Sequence, residues 1–336
     1  MLDEKKNRTI AYIILVVTAL IWGGTWPLGR WLVSEEVGGE TIPPLMIAVI
    51  RYFLAIICFF IFLKYREGSL HFEVAKKYWK LLTFMGLTSV VIYQIGYLFG
   101  EMFTAASDAS ILVATNAIWV IFIASIVLDK KFAKKRIIGT ILAVFAVFLV
   151  VGFSPNVDVP NRILGDILIL MAAFAYASYT VASRYFMNTV KEAQESYQPT
   201  SLWIITWVSF FGFLLITPIG LIFSPEYLNP VTYLSVPNRI WLGIFYLAFI
   251  STVGGYTFYL EGVKRLDASK AAIFQTLVPL FGVVLSALFL QEKFDFFIYP
   301  ISLLLVITGI VLVNYEKAIK NEDTEKENLK KENINP

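Results

Sequence analysis

The sequence predicts an all-α membrane protein: ten transmembrane helices in two inverted five-helix repeats, with both termini cytoplasmic. Three observations carry that reading. The composition is too apolar for a soluble domain, apolar runs of spanning length follow one another along nearly the whole chain, and one stretch recurs at a fixed offset. Of the 336 residues, 58% are hydrophobic, 16% aromatic and 16% charged. An ordinary soluble domain has about 45–50% apolar and about 25% charged residues. A water-soluble fold of this size could not hide that much apolar surface, so a soluble enzyme is excluded. The single cysteine, Cys58, lies in an apolar run and rules out an internal disulfide framework. The single histidine, His71, lies in a charged loop, which leaves no His/Cys set for zinc.

A span needs about 20 apolar residues. The runs are Thr9–Val33, Ile42–Leu63, Trp79–Gly100, Thr104–Leu128, Arg136–Phe153, Ile163–Phe186, Ser201–Phe223, Arg239–Gly262, Ala268–Leu290 and Phe296–Tyr315. The first is not a cleaved signal peptide, because it is too long and no small-residue cleavage site follows it. The chain therefore divides into a cytoplasmic segment (1–8), a first five-helix repeat (9–153), a second (154–315) and a charged tail (316–336). That tail is rich in Lys, Glu and Asn and reads as disordered. The polar stretch Asn188–Gln198 reads as a flexible connector between the bundles.

Orientation follows from Lys and Arg placement. With the N-terminus inside, the inner segments hold all but five of the 28 basic residues. Arg162, Arg239 and Lys293 fall outside, Arg30 lies near the outer end of span one, and Arg51 alone sits well within a span. An even number of spans satisfies this split. The internal repeat pairs Tyr97-Leu98-x-Gly100-x5-Ala106-Ser107-x-Ala109-x-Ile111 with Tyr259-Leu260-x-Gly262-x5-Ala268-Ser269-x-Ala271-x-Ile273. A second echo sets Trp22…Arg30 against Tyr176…Arg184 at equal spacing. A unit of five spans is odd, so its second copy must lie upside down. Inverted repeats with a midplane site between them are a hallmark of secondary transporters.

Taken with Trp22-Gly23 in span one, Arg51 in span two, Pro279 within span nine and Glu292 at its end, these motifs give the chain a family likeness. It resembles the drug/metabolite transporter superfamily, in its EamA-type ten-span branch, over about residues 9–315. The sequence departs from that pattern at Asn116-Ala117 against Val278-Pro279, and at Glu261, where the family usually carries an apolar or small residue. The resemblance implies a transporter of small organic solutes such as amino acids and related metabolites, often outward. It also implies a central cavity between spans 1, 3, 4, 6, 8 and 9, braced by spans 5 and 10.

Candidate binding residues follow from helical spacing. Trp22 and Trp26 share a face, as do Tyr93 and Tyr97; Tyr176 and Tyr179 sit in span six, and Tyr256 lies beside Gly254-Gly255 in span eight. Their rings offer faces to apolar or cationic groups and hydroxyls to polar ones. The competing reading is an interfacial belt, which would favour span ends. Asn116 and Gln275 are amides within spans and must hydrogen-bond either substrate or a neighbouring helix. Pro279 interrupts the backbone ladder and frees the carbonyl near Gln275. Arg51 is a costly intramembrane cation that must face protein or water, as a gating or a structural charge. Of the carboxylates near span ends (Glu101, Asp108, Asp166, Glu261 and Asp267), Glu261 is the best proton-carrying candidate.

The function so predicted is alternating-access transport of a small organic metabolite across the cytoplasmic membrane, an amino acid or related compound moved outward. The runners-up are a sugar-phosphate or nucleotide-sugar transporter, a lipid or drug translocator and, more distantly, an intramembrane enzyme. No H-E-x-x-H, G-x-G-D or phosphate-cradling loop is present, so neither catalysis nor direct ATP drive is expected. The expected partners are a small-molecule substrate, the lipid bilayer and a proton or counter-substrate. No cofactor, metal or nucleic acid is expected, and the oligomeric state is a monomer or weak homodimer.

Overall fold

The computed structural model describes residues 2–38, 42–127, 134–153, 159–266, 274–293 and 295–309. Among these the chain is helical, with no β-strand. Its principal helices are α1 (Leu2–Gly23), α2 (Thr25–Val33), α3 (Pro44–Glu67), α4 (Trp79–Phe103), α5 (Ala106–Val113), α6 (Asn116–Val127), α7 (Lys134–Phe153), α8 (Arg162–Glu192), α9 (Ser201–Phe223), α10 (Asn238–Arg265), α11 (Leu277–Phe289) and α12 (Ile298–Gly309). Every predicted run contains helix. Seven helical segments among the described residues are long and apolar enough to cross a membrane, α1–α2 and α5–α6 each counting as one; α11 and α12 are shorter. Large apolar side chains such as Phe53, Ile61, Ile126, Phe148, Ile167 and Leu242 lie exposed, an exterior that water penalises and lipid does not. The predicted tail (316–336), Asp267 and the Ala268–Ala271 stretch lie outside the described residues.

Local chemistry sets the helix ends. Pro44 opens α3 with its φ already helical, and Gly68 closes it in the left-handed region at φ 69°. The Asn161 side chain accepts from Leu164 N–H at the start of α8, and the Thr200 hydroxyl accepts from Trp203 N–H at the start of α9.

The connector after α8 differs from expectation. The helix runs on to Glu192, past the predicted end at Phe186, and the residues beyond are pinned. Glu195 is bound by Lys77 and accepts from the Tyr78 hydroxyl at 3.0 Å. The hydrogen bond from the Lys77 ammonium holds the Glu195 carboxyl below the usual carboxylate range. Glu67 accepts from the hydroxyls of Tyr197 and Thr200. A segment read as flexible is thus a hydrogen-bonded strap, because its few acceptors find cations and hydroxyls on the neighbouring turn.

Two helices change register partway. In α4 residues Leu87–Ile92, and in α10 residues Tyr246–Gly254, form π-helical segments. Hydroxyls occupy the carbonyls that the wider turn loosens: Ser89 donates to Met85 O at 2.7 Å, and Thr252 to Leu247 O at 2.8 Å. Besides the break at Gly24 between α1 and α2, two other spans are interrupted outright, at Ala114–Thr115 between α5 and α6 and at Gln275–Thr276 before α11. The second break lies one turn before Pro279, where the proline removes a donor. The first needs no proline, because Thr115 turns its hydroxyl back onto Leu112 O at 2.7 Å.

Buried charge closes one end of the bundle. Glu292, after α11, receives the Arg30 guanidinium at 2.5 Å, the N–H groups of Ala106 and Ser107 at 2.9 and 3.0 Å, and the Ser107 hydroxyl at 2.6 Å. These amides are the orphan donors at the start of α5, where the helix dipole favours an anion. Beside them Asp108 pairs with Arg162 and accepts from the Tyr299 hydroxyl at 3.0 Å, while Thr104 donates to Asp166 at 2.6 Å. Removing one partner of a buried pair strands the other, at a cost of about 3–5 kcal/mol. Arg30→Ala and Glu292→Ala are each expected to lower unfolding stability in detergent by about that amount, with the double variant losing less than the sum. Additive losses would show that the two residues act independently.

Candidate functional site

A cavity of about 610 Å³ occupies the centre of the bundle, within the range of small-molecule sites. Its lining comes from α1–α2, α4, α5–α6, α8, α10 and the approach to α11, and also from α3 and α9. Resemblance had not placed the last two there. Among the described residues neither α7 nor α12 contributes to its lining. At one end the wall includes Thr25, Trp26 and Val113; at the other it reaches Ser125, Arg184, Ser201 and Leu260. Arg184 is exposed, so the cavity communicates with solvent at that end, while the buried cluster around Glu292 lies beyond the first.

The wall is a chain of rings. Trp22 meets Tyr256 edge-on at 5.6 Å between centroids and Tyr259 at 5.5 Å. Tyr256 and Tyr176 bring their hydroxyls to 3.5 Å. Tyr176 then contacts Tyr179 and Tyr93, each at 5.5 Å. Tyr93 stacks near Tyr97 at 6.1 Å, and Tyr97 meets Trp26 edge-on at 5.2 Å. Spacing of four along α4 and three along α8 puts consecutive rings on one face, as the sequence implied.

Backbone carbonyls orient two of these rings. Trp22 Nε1 donates to Ser251 O at 3.1 Å, within the π-helical turn of α10. The Tyr97 hydroxyl donates to Thr25 O at 2.6 Å, beside the junction of α1 and α2. Gly29 makes room for that hydroxyl, since a Cβ there would occupy the end of the Tyr97 ring.

The amides Asn116 and Gln275 also line the cavity, the first directly beyond one helix break and the second within the other. Pro279 reaches the wall as well. Gln94 and Trp26 add polar atoms, Oε1 and Nε1, that have no hydrogen-bond partner among the described residues.

Arg51 is the deep charge of the site. Its Nε donates to the Thr252 hydroxyl at 2.9 Å, and its guanidinium lies 5.9 Å from the centroid of the Tyr52 ring. Its two terminal nitrogens make no hydrogen bond among the described residues. The π-helical turn thus serves the site directly, because the hydroxyl that caps Leu247 O also anchors Arg51.

Glu261 is placed elsewhere. It pairs with Arg265 at 2.9 Å and Arg66 at 4.0 Å, half-exposed and off the cavity wall. Glu101 is fully enclosed, as Asp108 is, but has no hydrogen-bond partner for either oxygen among the described residues. Sequence reading also passed over Tyr52, Tyr259 and Arg184 as lining residues. Tyr259 was within reach, being the repeat partner of Tyr97, and Arg184 that of Arg30.

Comparison with known proteins places this architecture. The sequence profile of the EamA-like transporter family matches residues 9–152 and 163–315. An uncharacterized transporter of Bacillus subtilis (strain 168), YetK, is 27% identical over 93% of this chain and 89% of its own length. A probable amino-acid metabolite efflux pump of Escherichia coli (strain K12) is 24% identical over 94% of this chain and 99% of its own. A solved crystal structure, 16% identical, superposes with a TM-score of 0.60 over 90% of this chain and 94% of that one, a likeness of fold.

Gly29→Ala is expected to push the Tyr97 hydroxyl off Thr25 O and cost about 1–3 kcal/mol of unfolding stability. Chemical unfolding in detergent measures it. A cost equal to that of Gly29→Ala in a Tyr97→Ala background would disconnect the glycine from the ring.

Proposed function

The chain belongs to the EamA-like transporter family, and from that premise we propose that it is a secondary transporter that moves a small organic metabolite across the cytoplasmic membrane by alternating access. The cargo is an amino acid or a related compound, and the direction is outward. The observation that carries this reading is the ring-walled central cavity, reached from one end and backed at the other by buried ion pairs. A similar chain in Escherichia coli carries the description of an amino-acid metabolite efflux pump, which supports the class of cargo.

The topology proposed with it is ten spans in two inverted five-helix units, 9–153 and 154–315, with both termini cytoplasmic. Positions of backbone irregularity support the two units. The π-helical turns fall at Leu87–Ile92 and Tyr246–Gly254, and the breaks at Ala114–Thr115 and Gln275–Thr276. At the offset of the sequence repeat each member of a pair overlaps or adjoins the other. In this topology the cavity faces the cytoplasm, and the Arg30–Glu292 cluster closes the outer side. Export then proceeds in three moves. The metabolite enters past Arg184 and rests against Trp22, Tyr93, Tyr176 and Tyr256. The outer cluster parts as the inner end closes. A proton or counter-substrate resets the cycle.

Removing two facing rings empties the wall without touching the closed end. Trp22→Ala with Tyr176→Ala is expected to lower protein-dependent flux of the transported metabolite in liposomes at least tenfold, while the protein still elutes as a folded, monodisperse species. Undiminished flux in that double variant would detach these rings from the transport route.

A further inference from the structure

Charge is segregated in this bundle. The buried carboxylates Glu101, Asp108, Asp166 and Glu292 all gather at the closed end, where Arg30 and Arg162 accompany them. None of them reaches the cavity wall, and no carboxylate lines the cavity among the described residues. Two arginines do, Arg51 in its depth and Arg184 at its open end. A single cation inside a span is costly unless something compensates it, and the compensation at Arg51 is one neutral hydroxyl and the Tyr52 ring, leaving the fork of the guanidinium without a hydrogen bond among the described residues. That fork matches the two oxygens of a carboxylate.

We propose that the cavity is a site for organic monoanions: a carboxylate seated on Arg51, with an aromatic or branched apolar body against the rings, and no seat for an α-ammonium. The proposal rests on the transport reading above and narrows its cargo from amino acids to their deaminated or N-acylated relatives. An ammonium in this cavity would share it with two guanidinium groups and find ring faces, hydroxyls and the amide oxygens of Gln94, Asn116 and Gln275, but no carboxylate among the described residues. A multiply charged phosphate would find one deep arginine where it needs several donors. Arg184, exposed at the mouth, raises the local concentration of anions.

The test uses three probes with one skeleton: 3-phenylpropionate, phenylalanine and phenethylamine, carrying the acid alone, both charges and the amine alone. Binding to the purified full-length protein is read by ligand-induced thermal shift and titration. The expected order places 3-phenylpropionate at least tenfold tighter than phenylalanine, with no saturable binding of phenethylamine. Arg51→Gln is expected to weaken the acid at least tenfold, and Arg51→Lys, which keeps the charge without the fork, to recover part of it. The comparison of the three probes on the unaltered protein stands even where an Arg51 variant fails to fold. Equal or tighter binding of phenylalanine or phenethylamine would overturn the proposal, as would absence of acid binding. Counterflow in liposomes separates the two levels. Protein-dependent flux of phenylalanine or phenethylamine without the acid overturns the anion site and leaves the transporter standing. No protein-dependent flux of any probe or of a broad metabolite panel removes the transporter reading as well.

Discussion

The contact on which the closed end depends is a single carboxylate answering four donors. Glu292 takes a guanidinium from α2, two amides and a hydroxyl from the start of α5, all out of water. Burying an ion pair alone gains little, because desolvation consumes most of the attraction. Here the remaining lone pairs are met by helix-terminal N–H groups that no intrahelical carbonyl could satisfy. The same contact therefore answers two needs of the fold, a buried arginine and an uncapped helix, and it links three spans distant in sequence.

Much of this was legible in the residues. Spacing of three and four placed Trp22 with Trp26, Tyr93 with Tyr97 and Tyr176 with Tyr179, and all six line one cavity. A proline one turn after Gln275 announced a helix interruption that is present. The break at Ala114–Thr115 was not announced, because a threonine folding its hydroxyl back onto Leu112 O looks in sequence like any threonine. The π-helical turns were equally silent, since they depend on which carbonyl each hydroxyl captures. Charges were the hardest to place. Glu261 and Glu101 both stand near span ends, yet one meets Arg265 a turn away and the other is sealed among neighbours that only the tertiary fold supplies.

The polar hydroxyls link fold and site. Thr252 bonds to a carbonyl of its own helix and to Arg51, so the irregular backbone and the deep cation hold one another in place. Trp22 is oriented by a carbonyl of the same turn. Such backbone within a span is tolerated because hydroxyls and neighbouring helices satisfy the groups that the wider turn frees.

The π-helical turn of α10 also works as a phase setting. It packs more residues into its turns than an α-helix does, and everything after it is rotated accordingly. Deleting one residue between Tyr246 and Gly254 would absorb that surplus and leave Tyr256, Tyr259 and Leu260 facing as they do, whereas relaxing to α geometry at full length would swing them round the axis by about 100°. The rings would remain in the sequence, in the same order and spacing, and face a different neighbour. The angular register of that face thus resides in the length of a segment that contributes little of the wall itself.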